Sequence, residues 1–382
     1  FKIYSTGVQK PNQNSLFNNV KLNISSDNKK LNDLFEKCKF AVINCSQSIL
    51  LDSPKHLEPL SSCSGDYYIE SLVTAVMTGD FELIKHVLKG YSDLLVKHDG
   101  QNANLSYSLI FVFWLYKIYM MTGDKELISY CLPGAIKACN LYQSFTDKNG
   151  LIDHPYTYCF LDWLMVDGFN LFVPPMALGQ TSITLFYYRA VESLASICKE
   201  LGDIKSSNRW LKEAKKVRRG INSILFNKEK GLYCEGLNTP TPDDYVDKII
   251  NKPIPKNPNK IYYRKHANVL AVAYGLTSKA ISKQIVKKLF NELNDCEIQP
   301  YFMHYQFEAI HEAGLDKKYT MKLIKEWTSR IRIKDKGLPE GFFKPTPDYK
   351  FDFSHGWGAS PYYSFIIASS GLRILEPGMK KI

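Results

Sequence analysis

Thr78-Gly79-Asp80 stands between two runs of helical periodicity, 66–79 and 81–98. Glycine adopts the left-handed conformation that ends a helix at little steric cost, and an aspartate directly after it can cap the helix that follows. The same chemistry recurs at Thr122-Gly123-Asp124, Leu201-Gly202-Asp203, Gly275-Leu276-Thr277-Ser278 and Gly314-Leu315-Asp316. Outward from these turns, apolar residues keep helical spacing: Ile281, Ile285, Leu289 and Leu293 form one stripe, and Met321, Ile324, Trp327 and Ile331 another. The spacing predicts twelve helices, at 28–50, 66–79, 81–98, 105–122, 125–146, 181–201, 204–226, 264–275, 278–294, 301–314, 317–333 and 355–372.

The tight turns follow the even-numbered helices. Longer connections follow most odd-numbered ones, at 51–65, 147–180, 227–263 and 334–354, with shorter ones at 99–104 and 295–300. Consecutive helices alternate direction, so the odd-to-even connections all emerge on one rim, and loops held on a rigid scaffold are where binding and catalysis concentrate. An all-α (α/α)6 toroid of six helical hairpins satisfies both the count and the alternation. An open solenoid would show a fixed-period sequence repeat, whereas only the turn recurs here.

Over 382 residues, 45% hydrophobic and 23% charged residues are ordinary for a globular protein. The net charge of +11 is spread over helix faces and the loop from Lys248 to Lys265. No Lys/Arg stripe interleaved with aromatics marks a nucleic-acid surface, and solvated surface charge, with some attraction for acidic polysaccharide, is the expectation. The nine cysteines include no CxxC pair, so a structural zinc site is not expected and buried free thiols are. The most apolar run, Leu109 to Met121, is too short to span a bilayer and carries Lys117, as a buried helix would. A start at Phe1, without Met or a signal-peptide pattern, is expected of an excised or processed piece.

Three connections on the elaborate rim carry chemistry. Asp52, Glu58 and Asp66 fall within fifteen residues, just before Tyr67 and Tyr68. The third-hairpin loop holds Asp153-His154-Pro155-Tyr156 and Asp162-Trp163-Leu164. The last holds Gly337-Leu338-Pro339-Glu340, then Asp352, and His355-Gly356-Trp357. Closing the ring makes the first and last hairpins neighbours, so Glu58 and Glu340 can face one pocket. Inverting glycosidases need two such carboxyls, roughly 6.5–9.5 Å apart, one to protonate the leaving oxygen and one to activate water. Each residue also has a plainer reading: Asp66 as a helix cap, Glu58 and Glu340 as solvated loop acids, His355 as a helix residue with no role, and most aromatics as helix packing.

These segments resemble the α-L-rhamnosidases of glycoside hydrolase family 78. Asp52, Pro54, Glu58 and Gly65-Asp66 match the family's first signature, Asp162-Trp163-Leu164 its D-W-L, and Glu340 its base-bearing element. Ser354-His355-Gly356-Trp357 is similar to its S-x-H-W segment, and Gly371 to Gly378 to the element closing its catalytic domain. The resemblance implies inverting hydrolysis of a terminal α-L-rhamnosyl or related deoxy-sugar bond without metal or cofactor. It makes Glu58 the general acid and Glu340 the general base. Asp52, Asp66 and His355 would bind sugar hydroxyls and Asp162 and Trp163 line the subsite, while His56 and Trp357 stand in the same sugar-recognising segments. His56 replaces the family's Arg, Leu57 an Asp and Pro59 a second Arg, and the family's Trp is lost within Ser61-Ser62-Cys63. These departures fall in sugar recognition. A silent carbohydrate-binding relative, or a lyase using Tyr or His on the same scaffold, are the alternatives. The implied partner is an oligo- or polysaccharide, with no nucleic acid and no membrane insertion, and such substrates lie in the periplasm or outside the cell. Residues 1–20 read as a lead or linker and 21–382 as the catalytic domain, without the β-sandwich domains that flank it in family members.

Overall fold

The five glycine turns close as their residues dictate. Gly79, Gly123, Gly202, Gly275 and Gly314 have φ of 69°, 70°, 83°, 66° and 67°. Asp80, Asp124 and Asp203 accept the amides of Glu82, Leu127 and Ser206, each at 2.9 Å, and Ser278 accepts that of Ile281 at 3.4 Å. Asp316 departs from the pattern: Leu315 holds the cap position without a side-chain bond, and Asp316 lies in the first turn. Its charge there still complements the helix dipole.

The computed structural model describes residues 21–22, 24–56, 63–155, 159–166, 169–170, 176–241, 246–247, 252–253, 256–293, 298–331, 337–342 and 354–382. The 1–20 segment, Glu58 and Asp352 lie outside the described residues. Those described form twelve α-helices: α1 Lys29–Cys45, α2 Ser64–Thr78, α3 Glu82–Lys97, α4 Leu105–Thr122, α5 Lys125–Gln143, α6 Met176–Glu200, α7 Ile204–Gly220, α8 Lys265–Ala273, α9 Lys279–Asn291, α10 Pro300–Ala313, α11 Asp316–Arg330 and α12 Ser360–Ser370. Three two-residue antiparallel ribbons lie in or beside the long connections, pairing Met165–Val166 with Phe169–Asn170, Phe226–Asn227 with Leu232–Tyr233, and Val246–Asp247 with Lys252–Pro253.

Among the boundaries that differ from the sequence expectation, three have a visible local cause. α1 stops at Cys45, because Leu51 donates its amide back to the Cys45 carbonyl at 2.9 Å and Ser46 bridges Leu50. α6 begins five residues early, at Met176. Asn257, distant in sequence, accepts the Ala177 amide at 3.1 Å and so caps it through a tertiary contact. The last helix starts at Ser360 with Pro361 in its first turn, after a separate 3-10 turn at Gly356–Ala359.

The chain divides into two compact units. The first comprises residues 1–90, 299–307 and 315–372. In it α1 packs on α2, α11, α12 and the 356–359 turn, and the same turn packs on α2. Phe35 of α1 meets Tyr362 edge-on, with ring centroids 5.8 Å apart. The first and last hairpins are therefore neighbours, as ring closure requires.

The second unit comprises residues 91–298, 308–314 and 373–382. There α6 is central, packing on α4, α5, α7 and α8. α4 is long and apolar enough to cross a membrane, but fourteen of its eighteen residues are buried inside the protein. The eight described cysteines are free, and all but Cys63 are buried.

Candidate active site

The first cluster lies in the first unit and is assembled by backbone bonds between loops remote in sequence. The Asp52 carbonyl accepts the Gly356 amide at 2.8 Å, while the Leu338 carbonyl accepts the neighbouring His355 amide at 2.9 Å. The Trp357 indole donates to the Glu340 carbonyl at 3.1 Å. These bonds hold the Asp52 loop and the 337–342 and 354–357 segments together.

Within this frame, His56 Nδ1 lies 2.9 Å from Asp52 Oδ1 and 3.0 Å from Oδ2. His355 stands between two carboxylates, its Nε2 3.7 Å from Asp52 Oδ2 and its Nδ1 3.5 Å from Asp66 Oδ1. The His355 ring lies against Trp357, with centroids 4.2 Å apart and planes at 31°, and Trp357 in turn leans on Tyr301 at 5.0 Å. Asp66, Glu340, His355 and Trp357 are buried, whereas the His56 side chain is 42% exposed. Glu70, one turn beyond Asp66 on α2, is fully buried and fills the space a side chain at Gly356 would occupy.

Asp66 is not the cap of α2. Cys63 occupies that position without a side-chain bond, and the Asp66 carboxylate faces His355. Nor does His355 begin a helix, for it precedes the 3-10 turn with extended backbone.

The second cluster lies in the second unit. Ser106 donates its hydroxyl to the Phe160 carbonyl at 2.8 Å, and Asn104 Oδ1 accepts the Phe160 amide at 3.1 Å. This fixes the chain just before Asp162. The Asp162 carboxylate accepts the Trp163 amide on Oδ1 at 3.0 Å and meets His266 Nε2 with Oδ2 at 2.8 Å. Trp163 lies edge-on to Phe160, with centroids 5.2 Å apart. Beside His266 lies Glu235, whose Oε1 accepts the Ala267 amide at 3.1 Å and whose Oε2 is buried with no hydrogen-bond partner among the described residues. Burial pushes the Glu235 carboxyl above the usual glutamate range, opposed by the nearby His266, the Ala267 amide and Arg264.

Of the expected site residues, Asp52, His56, Asp66, Glu340, His355 and Trp357 come together in the first cluster, and Asp162 and Trp163 belong to the second. Glu58 falls outside the described residues. His266 and Glu235 were not expected, because no motif or spacing links them to Asp162. His154, with φ of 42°, pairs through Nδ1 with Asp153 Oδ1 at 2.6 Å, while Tyr156 lies outside the described residues.

Helical hairpins whose long connections carry buried carboxyls against indoles and imidazoles define the class, a six-hairpin helical domain built around polar-aromatic clusters. Residues 21–299, well over half of the chain, match the bacterial α-L-rhamnosidase six-hairpin glycosidase domain, and the chain belongs to that family. Glu340, His355 and Trp357 lie beyond the matched residues.

Solved structures share the fold at low sequence identity. A rhamnosidase from Klebsiella oxytoca with rhamnose bound is 16% identical with a TM-score of 0.70, over 91% of this chain and 65% of that one. A family 78 rhamnosidase of Bacillus sp. GL1 is 17% identical with a TM-score of 0.71, over 91% and 35%. An α-L-rhamnosidase from Dictyoglomus thermophilum is 16% identical with a TM-score of 0.69, over 93% and 39%. The chain thus spans 65% or less of the length of each of these three. The expected all-α toroid class holds. A search of curated protein sequences gave no match.

Proposed function

We propose that this chain is the catalytic domain of an inverting glycoside hydrolase that removes a terminal α-L-rhamnosyl or related deoxy-sugar residue from an oligo- or polysaccharide. The observation that carries the proposal is His355, buried between Asp52 and Asp66 and backed by Trp357, whose indole donates to the Glu340 carbonyl. Carboxylates accept sugar hydroxyls, an imidazole N–H donates to them, and indole faces suit the apolar edges of a deoxy sugar. Residues 21–382 form the domain that supplies these groups.

In this mechanism the Glu58 carboxyl donates its proton to the glycosidic oxygen as the bond to the anomeric carbon breaks. Glu340 takes a proton from the water that attacks the opposite face of that carbon, and the anomer inverts. Asp162 and Trp163 are sugar-binding residues in this reading, as the resemblance to the family implies. No step requires an electron acceptor or a covalent enzyme intermediate.

The test is hydrolysis of a panel of aryl α-L-glycosides, rhamnoside included, by wild type, Glu58→Gln and Glu340→Gln. The expected result is rhamnoside turnover by wild type with inversion seen by proton NMR, and loss of at least about 10³-fold in each folded variant. Turnover retained by either variant would remove that residue from the mechanism. Turnover of a different sugar alone would replace the specificity, and saturable binding without product would make the chain a silent binder.

A further inference from the structure

Asp162 is held from two sides. Its own chain neighbour, the Trp163 amide, takes Oδ1 at 3.0 Å, and His266 takes Oδ2 at 2.8 Å from 104 residues away. Both partners of the long-range pair are fully buried. A buried ionisable pair is an expensive way to gain stability, because desolvation offsets most of the attraction. What it does supply is orientation: with one carboxylate oxygen committed to a ring nitrogen, the carboxylate plane cannot turn freely.

The support behind His266 is built to the same end. His266 is the second residue of α8, and the helix start is pinned by the Ala267 amide, which donates to Glu235 Oε1 at 3.1 Å. Glu235 is fixed in turn, donating its amide to the Tyr262 carbonyl at 2.8 Å and accepting the Thr181 amide at 3.0 Å. On the far side, the Trp163 indole packs edge-on against Phe160. A rotation of Asp162 therefore moves the Trp163 amide as well.

We propose that His266 is a positioning residue, which through its Nε2–H locks the Asp162 carboxylate and with it the Asp162-Trp163 segment in the orientation that receives the sugar. Glu235 anchors the helix start that carries the imidazole. The sugar-binding part of this inference rests on the function proposed above; the positioning part does not.

The experiment compares His266→Gln with His266→Leu. The Gln side-chain amide can still donate to Asp162 Oδ2, whereas Leu cannot. L-Rhamnose binding is read by calorimetry, and the Trp163 backbone amide by nitrogen-proton NMR without ligand. His266→Leu is expected to raise the Kd for L-rhamnose at least about tenfold, as displacement of a binding group by a fraction of an ångström does, and to shift and deprotect the Trp163 amide. His266→Gln is expected to stay within about threefold of wild type in Kd and to leave that amide in place. Wild-type affinity in folded His266→Leu, or equal loss in both variants, overturns the proposal. If wild type itself fails to bind L-rhamnose, the proposed sugar falls, and the Trp163 amide alone decides the positioning role: an amide unmoved in His266→Leu refutes it. If His266→Leu does not fold, the wild-type imidazole decides, because a slowly exchanging His266 Nε2–H that vanishes in Asp162→Asn supports the lock and its absence overturns it.

Discussion

A methyl group at Gly356 is expected to disable the proposed site through packing alone. The Cβ of an alanine there would overlap the carboxyl carbon and Oε1 of Glu70 and would lie only 2.7 Å from Glu70 Cγ. Ordinary carbon contacts are about 3.5–4.0 Å, so even the Cγ contact demands about 1 Å of retreat, and the carboxyl overlap demands more. Glu70 is fully buried and has no solvent to swing into. The backbone is also pinned, with the Gly356 amide 2.8 Å from the Asp52 carbonyl and the His355 amide 2.9 Å from that of Leu338. A 1 Å shift of this segment takes both bonds past 3.5 Å and carries His355 and Trp357 with it.

Overpacking typically costs about 1–3 kcal/mol, and a strained hydrogen bond adds about 1 kcal/mol, so about 2–4 kcal/mol is expected for Gly356→Ala. An unfolding entropy of about 2.1 cal/mol/K per residue over 382 residues is about 0.8 kcal/mol/K, which converts this cost into a fall in Tm of about 3–5 °C. A 1 Å misplacement of binding groups costs about 10²-fold in kcat/KM. Calorimetry and rhamnoside turnover together read both effects. Shortening the obstruction in Glu70→Ala/Gly356→Ala should give a combined loss smaller than the sum of the two single losses. Wild-type Tm and activity in Gly356→Ala, or strict additivity in the double variant, would refute the packing account.

Glu235→Gln tests the buried carboxyl. Because burial raises its pKa in the folded chain, the folded state holds the proton more tightly than the unfolded state, and this contribution to stability is lost as pH climbs above the ordinary glutamate range. The Tm of Glu235→Gln relative to wild type should therefore rise as pH climbs above the ordinary glutamate range, and a pH-independent difference would contradict this. Trp357→Phe keeps an aromatic face against His355 but loses the indole bond to the Glu340 carbonyl, so kcat/KM for the rhamnoside should fall about tenfold while Trp357→Leu falls further; equal activities would exclude both contacts from the site. Asp124→Ala removes the cap on α5 and should cost about 1 kcal/mol by denaturant unfolding with turnover unchanged, and an unaltered midpoint would show the cap to be idle.

Local chemistry made the helices readable. Gly79-Asp80, Gly123-Asp124 and Gly202-Asp203 carry both the stop and the start signal within adjacent residues, and neither depends on distant chain. The start of α6 depends on Asn257 and was misplaced for that reason. The same divide separates the site residues. Asp52, Asp66 and His355 sit in short segments whose composition marks them, and their neighbourhood follows once the first and last hairpins adjoin. His266 pairs with Asp162 across 104 residues, and Glu235 reaches His266 through the backbone of the next residue. Neither carries a spacing that a reader of the sequence could use.

Within the two clusters, the three histidines that meet carboxylates differ in what they leave for a ligand. His266 and Asp162 are fully buried and closed at 2.8 Å, so that nitrogen and that oxygen are spent on each other. His56 meets both oxygens of Asp52 with a single nitrogen, at 2.9 and 3.0 Å. The His56 side chain is exposed, and water weakens the contact. His355 is the third case: its Nε2 stands 3.7 Å from Asp52 and its Nδ1 3.5 Å from Asp66, both beyond good hydrogen-bond length. A sugar hydroxyl both donates and accepts, so one placed beside His355 can accept from the imidazole and donate to a carboxylate. On the function proposed above, the His355 contacts are thus the ones a ligand would complete, whereas the Asp162 contact is already closed.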